Sequence, residues 1–262
     1  MVVEQYGCWI EADMCGLCRA CKEGVLRSAA FSQRRGEREA LLAEIEGDVR
    51  ETARQTGLSR LPDVVRTAIA CVPRHCFVRP SDNAHAYENR ALPIDHGQTI
   101  SQPYIVAVMT ALCGAGPGKR ILEIGTGCGY QAAVLAETGA VVYSIEVVPP
   151  LARSAAQTLE ALGYGSPDVV LREGDGRQGW PEAAPFDAIL VAAAAERMPS
   201  ALGEQLAVGG TLVFPMGPAN PRRPFPSGQT LCAVDKQSDG SFRTRKLIPV
   251  AFVPLVAPGR IS

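Results

Sequence analysis

ILEIGTGCGYQAAVLAETG, residues 121–139, decides how the rest of the chain is read. It opens on Ile121 and Leu122, an apolar run that reads as the end of a buried strand. Glu123 follows, then Gly125, Gly127 and Gly129 on alternate positions. From Tyr130 the pattern turns helical, with Ala133, Val134 and Ala136 among the apolar positions and Gly139 as a stop signal. A sharp strand-to-helix turn asks for residues without Cβ. The same bare backbone lets a ligand lie at a helix N-terminus, where free N–H groups point outward. That is the logic of nucleotide-type cofactor sites in doubly wound sheets.

The dinucleotide fingerprint asks for a third Gly at its sixth position, and Tyr130 stands there, which weakens an NAD reading. The next strand, VVYSIEVV (141–148), carries Glu146 at the end of its apolar part. An acidic side chain at that point can accept hydrogen bonds from both ribose hydroxyls, a feature that methyltransferases and NAD enzymes share. The plainer alternative is a solvent-facing glutamate at a strand end. An acidic residue two places before the first Gly of G-x-G-x-G resembles the first motif of class I S-adenosylmethionine-dependent methyltransferases.

The bulk numbers bound the class. The 262 residues suffice for one large domain with an appendage, and 47% hydrophobic with 20% charged residues is a globular composition. A formal charge of −1 provides no global field for nucleic acid or an anionic membrane, so neither is expected as a partner. No apolar run approaches ~18 residues. The start, MVVEQYGCW, lacks the basic flank and apolar stretch of a secretory signal, so a cytoplasmic location is expected.

Four of the nine cysteines, Cys8, Cys15, Cys18 and Cys21, fall in the first segment with spacing C-x6-C-x2-C-x2-C. Four thiolates so close could ligate Zn²⁺, and C-x2-C-x2-C is similar to part of a bacterial ferredoxin run, which would hold an iron–sulfur cluster. Neither spacing is complete, and a tail whose thiols do nothing specific is the alternative. Cys71, Cys76, Cys113, Cys128 and Cys232 sit among apolar neighbours and read as small buried hydrophobes.

Residues 34–56 read as an amphipathic helix with Leu41, Leu42, Ile45 and Val49 near one face and Gly57 as its stop. Pro62 opens a second helix that Pro73 ends. VPRHCFVRP (72–80) reads as a break followed by a short extended piece. His75, His85 and His96 lack metal-type spacing and read as hydrogen-bonded structural residues. In ALPIDHGQTISQPYIVAVMTALC (91–113), Gln98, Thr99 and Ser101 place three polar side chains before Pro103, which starts a helix. Ser101 is then a candidate N-cap. The functional alternative is a polar helix entrance that faces the cofactor and grips an anionic substrate. After Glu146, a helix over 150–163 leads to DVVLREGDG (168–176), a strand and a tight loop. There Asp175 can accept a hydrogen bond from an adenine amino group, with Gly176 letting the base approach; a bare turn is the alternative. Strands follow at FDAILV (186–191) and GGTLVFPMG (209–217), and two more after a Pro-rich loop (218–229) that carries Arg222 and Arg223. This alternation predicts an α/β fold, a doubly wound, mostly parallel Rossmann-like sheet with an N-terminal helical cap and a cysteine-rich N-terminal tail.

VPRHCFV, ALPIDHGQTISQPY, ILEIGTGCGYQAAVLAE, EGDGRQGWP, APFDAILVAAA and PVAFVPL, in this order, resemble protein-L-isoaspartate O-methyltransferases over roughly residues 58–256. QTISQP is the most diagnostic of them. The chain is expected to divide into a cysteine-rich tail over 1–33, which the resemblance leaves unmatched, and a methyltransferase domain over 34–262, in which 34–113 form the helical cap and substrate segment and 114–262 the cofactor-binding core. The resemblance implies methyl transfer from S-adenosylmethionine to the α-carboxyl of L-isoaspartyl residues in damaged proteins or peptides, which starts repair through a succinimide. Ser101 takes the catalytic position, with Gln98 and Thr99 shaping the same pocket. Glu123, Gly125, Gly127 and Gly129 surround the methionine end and ribose, Glu146 takes the ribose, and Asp175 with Gly176 the adenine. Gln229 is matched loosely to a further cofactor contact. Ala192 stands where many relatives carry a hydroxyl residue. The alternatives are a carboxyl methyltransferase for another modified peptide and a non-enzymatic S-adenosylmethionine- or metal-binding module.

Overall fold

A computed structural model of the protein describes residues 29–218 and 228–259. The tail cysteines Cys8, Cys15, Cys18 and Cys21, and Arg222 and Arg223, lie outside the described residues.

The core is a seven-stranded sheet. Strands β3 (Arg120–Ile124), β4 (Val141–Glu146), β5 (Val169–Glu173), β6 (Phe186–Val191) and β7 (Leu206–Met216) run parallel; β8 (Gln229–Lys236) and β9 (Phe242–Val250) extend it antiparallel. The spatial order is β5-β4-β3-β6-β7-β8-β9. The chain steps outward from β3 to β5, then returns to the other side of β3 for β6 and β7. That reversal opens a crevice at the carboxyl ends of the strands, where open α/β sheets bind ligands. Both faces of the central strands are covered, so β3 is buried from Ile121 to Ile124 and β6 from Ala188 to Val191.

A set of helices precedes the sheet. The predicted 34–56 helix is two pieces, α1 (Arg35–Glu51) and α2 (Ala53–Thr56). They part at Thr52, whose hydroxyl donates back to the Asp48 carbonyl at 2.8 Å and also meets the Tyr104 hydroxyl at 2.6 Å. Such back-bonding competes with the helical ladder and bends it. Leu41, Leu42, Ile45 and Val49 are buried as the periodicity predicts. Arg38, on the same helix, is buried too: its guanidinium donates to the carbonyls of Phe31, Gln33, Ala70 and Cys71. It thereby satisfies the last carbonyls of α3 (Asp63–Cys71), which the helix itself leaves open.

VPRHCFVRP is not extended. It forms 3₁₀ turns at Arg74–Cys76 and Pro80–His85, and these let Phe77 meet the Tyr130 ring edge-on at 5.5 Å and Arg74 stack over the same ring at 4.9 Å. His75 and His85 are hydrogen-bonded, to the Tyr87 hydroxyl (2.7 Å) and the Glu88 carboxylate (2.6 Å). Cys71, Cys113 and Cys232 are buried, whereas Cys76 and Cys128 are partly exposed. Among the described residues no helix is long and apolar enough to cross a membrane.

Candidate active site

Three pieces of chain converge at the carboxyl ends of β3 and β4. The first is a small hairpin, β1 (Leu92–Pro93) paired with β2 (Thr99–Ile100). Its turn is closed by Gln98 N–H donating to the Asp95 carbonyl, with His96 and Gly97 at φ 58° and 68°. Two consecutive positive φ values are the mark of a type I′ turn, which matches the twist of paired strands. The hairpin hands the chain to α4 (Pro103–Leu112), and Gln98, Thr99, Ile100 and Ser101 line the cleft on the way.

Ser101 is not the N-cap of α4. Gln102 holds that position without a side-chain cap bond, and the N–H of Tyr104 is taken by Oδ1 of Asn89 at 3.0 Å. Capping is therefore done from another segment, and the serine hydroxyl is left to the cleft that it lines.

The second piece is the turn between β3 and α5 (Tyr130–Glu137). Gly125, Gly127 and Gly129 all have positive φ, at 93°, 56° and 91°, which a side chain would resist. Gly125 and Gly127 line the cleft; Gly129 does not. A Cβ on Gly129 would lie 3.1 Å from Leu159, so that glycine serves the packing of α5 against α6 (Pro149–Ala161). Glu146 fixes the turn from β4. Its Oε2 accepts the Gly127 N–H at 2.7 Å and its Oε1 the Val148 N–H at 2.9 Å. One backbone donor on each oxygen leaves lone pairs on both for ligand hydroxyls.

Glu123 lies beneath the turn rather than in the cleft wall. It is fully buried, and its Oε2 accepts the Ser144 hydroxyl at 2.5 Å. Burial, reinforced by the nearby Glu146 charge and opposed by the Ser144 hydrogen bond, pushes its carboxyl up to about 8. Gly176 lines the cleft and packs closely on β3, where a Cβ would sit 2.3 Å from Cγ2 of Ile124. Asp175 stands one residue outside the lining and is engaged by Arg177, whose Nη2 lies 2.6 Å from Oδ2; this keeps the carboxyl below its ordinary range.

The third piece is the stretch from Phe252 to Val256, a wall for which the sequence reading assigned no role. It pairs with the loop after β6: Ala194 N–H donates to the Val253 carbonyl, and Leu255 N–H to the Ala194 carbonyl, both at 2.8 Å. Gln229 holds its start. The Gln229 Oε1 accepts the Phe252 N–H at 2.7 Å, and its Nε2 donates to the Phe252 carbonyl at 3.2 Å. Gln229 is thus placed behind the wall, not on the cleft surface. Thr126, Cys128, Gln131, Ala192 and Ala193 also line the cleft, which is open to solvent at its mouth.

A family profile described as protein-L-isoaspartate(D-aspartate) O-methyltransferase matches residues 47–259. The chain belongs to this family. Among the family's proteins, the protein-L-isoaspartate O-methyltransferase 2 of Polaromonas sp. is 50% identical over 215 residues, 82% of this chain and 98% of its own length. The protein-L-isoaspartate O-methyltransferase of Gloeobacter violaceus is 53% identical over 191 residues, covering 73% and 89%. A solved structure of a protein-L-isoaspartate O-methyltransferase superposes with a TM-score of 0.68 at 27% identity, covering 86% of this chain and 67% of that one. Another, from Plasmodium falciparum and in complex with S-adenosyl-L-homocysteine, superposes with a TM-score of 0.63 at 23% identity, covering 80% and 98%, and shares the fold. The family is one of S-adenosylmethionine-dependent methyltransferases, and this chain carries its Rossmann-like sheet.

Proposed function

We propose that the protein transfers a methyl group from S-adenosylmethionine to the α-carboxyl of L-isoaspartyl residues, and that the ester so formed closes, with loss of methanol, to a succinimide whose hydrolysis returns some normal aspartyl bonds. The observation that carries this reading is the convergence, in one cleft of a chain of this family, of Ser101, the Gly125–Gly127 turn and Glu146.

The residues present suit the cofactor. Glu146 offers two oriented oxygens to a ribose, the glycine turn leaves bare backbone beside it, and Gly176 keeps Ile124 open as an apolar floor for the adenine, with Asp175 at its edge. When bound, S-adenosylmethionine supplies an electrophilic methyl carbon. A substrate carboxylate, with a pKa near ~4, is already ionised at neutral pH and needs no general base. The protein's task is then alignment, which can supply about 7–11 kcal/mol in favourable systems. Ser101 donates its hydroxyl to the carboxylate and holds it in line, and Gln98 and Thr99 shape the space around it.

The test is turnover of a synthetic isoaspartyl peptide with labelled cofactor, beside the same peptide with a normal aspartyl bond. Methyl ester should form on the first alone. Labelling of neither, or of both equally, would overturn the assignment. The cysteines Cys8, Cys15, Cys18 and Cys21 keep their sequence expectation of zinc or iron–sulfur ligation, tested by metal analysis and absorbance of anaerobically purified protein.

A further inference from the structure

Beneath the glycine turn lies a row of side chains that the proposed reaction leaves unused. Glu123 stands opposite Ser144 of β4 and Leu190 of β6 in the sheet register. The Ser144 hydroxyl donates to its Oε2 at 2.5 Å, and Ser144 Oγ lies 2.6 Å from Oγ1 of Thr126, which lines the cleft. The second carboxyl oxygen of Glu123 is buried without a hydrogen-bond partner. An unneutralised carboxyl in such a place is costly as an anion. Around it, Glu146 contributes repulsion from β4 and the Cys128 thiol faces it from the turn. On β6 its register neighbour is Leu190. On the helix α5 the polar side chains are engaged elsewhere, Gln131 with Thr110 and Glu137 with Tyr164. The buried cation Arg74 acts on the Cys128 thiol.

We propose that Glu123 sets the charge of the cleft: it is protonated in the empty protein, gives up its proton when the cationic methyl donor binds, and thereby favours the donor over the neutral thioether product. This rests on the proposed use of S-adenosylmethionine. The hydrogen-bond count supports it. With Glu123 ionised, Ser144 must donate to it, Thr126 must donate to Ser144, and the Thr126 lone pairs are left for a ligand. With Glu123 protonated, it can donate to Ser144, Ser144 to Thr126, and the row offers a proton instead. The ionised state suits the donor, whose sulfonium and ammonium outweigh its single carboxylate. The product lacks the sulfonium charge and has less to gain. The proton passes from the Glu123 carboxyl to solvent on binding and returns once the sulfonium is spent. A carboxyl pushed up to about 8 has that proton to lose at neutral pH.

Titration calorimetry of the full chain with S-adenosylmethionine and with S-adenosylhomocysteine, in buffers of different ionisation enthalpy, tests this. Donor binding at pH 7 should release most of one proton and product binding distinctly less. The affinity ratio of donor to product should rise from pH 6 toward 8, by up to about tenfold per unit. Glu123→Gln should abolish the release and flatten the ratio. Ser144→Ala, which removes the hydrogen bond that favours the anion, should move the midpoint to higher pH, and it serves where Glu123→Gln does not fold. A wild-type ratio independent of pH, release that persists in Glu123→Gln, or an unmoved midpoint in Ser144→Ala would overturn the proposal. Failure to bind either ligand would instead overturn the proposed reaction.

Discussion

The side chain of Asn89 caps a helix that it does not belong to: its Oδ1 accepts the Tyr104 N–H at 3.0 Å, while its Nδ2 donates to the Asp48 carboxylate at 2.8 Å. It thus ties α1 to the start of α4, the point at which Ser101 enters the cleft. Asn89→Ala should cost about 1 kcal/mol of stability, the usual worth of a cap. It should also lower kcat more than it weakens cofactor binding, because it loosens the substrate side of the cleft and leaves the glycine turn intact. Denaturant midpoints and steady-state kinetics check both halves.

Ser101→Ala should reduce turnover of an isoaspartyl peptide by about tenfold or more, with an unchanged dissociation constant for S-adenosylhomocysteine. The hydroxyl caps nothing, so its loss should leave the unfolding midpoint where it was. A matching loss of cofactor affinity would contradict the assigned role.

Glu146→Ala removes the acceptor for Gly127 and Val148 as well as for the ribose. Hydrogen bonds to charged groups are worth about 1.5–3 kcal/mol, so cofactor affinity should fall by about ten- to a hundredfold. The glycine turn should exchange its amide hydrogens faster in this variant. An unaltered dissociation constant would remove the ribose assignment.

Glu123 makes the empty protein sensitive to alkali. Its carboxyl is raised in the folded state, chiefly by burial, so its contribution to stability is complete below the unfolded value near ~4 and is lost as pH rises through about 8. Thermal midpoints of the empty protein should therefore decline between about pH 5 and 8 and level off above, and Glu123→Gln should decline less. Saturating S-adenosylmethionine should flatten the wild-type curve.

Gly176→Ala would put a methyl group 2.3 Å from Cγ2 of the buried Ile124. Because that atom is a β-branch on a central strand, it cannot swing aside. The variant should lose stability by about 1–3 kcal/mol, as overpacked sites do, together with cofactor affinity. Chemical denaturation and equilibrium binding give the two numbers.

The parallel sheet was legible because its strands are short apolar runs separated by helical periods, and strand ends such as Glu146 follow directly from where those runs stop. The glycine turn was legible because only a few backbone paths connect such a strand to such a helix. What escaped were contacts between segments remote in sequence. Ser101 before Pro103 has every local mark of a cap, yet Asn89 takes the bond from outside. Glu123 reads as a wall residue because it neighbours Gly125, but strand alternation sends its side chain under the turn, with Ile121. Gln229 and Phe252 meet across 23 positions, and no local pattern announces that the second forms a wall and the first holds it.

That wall bears on synthesis. Residues 98–101 and 252–256 line the same cleft although some 150 residues separate them in the chain. A nascent chain halted before Phe252 could build most of the sheet and the glycine turn but would present the cleft without one side. Methyl-donor capture should thus be a property of the finished polypeptide, and a truncation at residue 251 should bind cofactor poorly however well it folds.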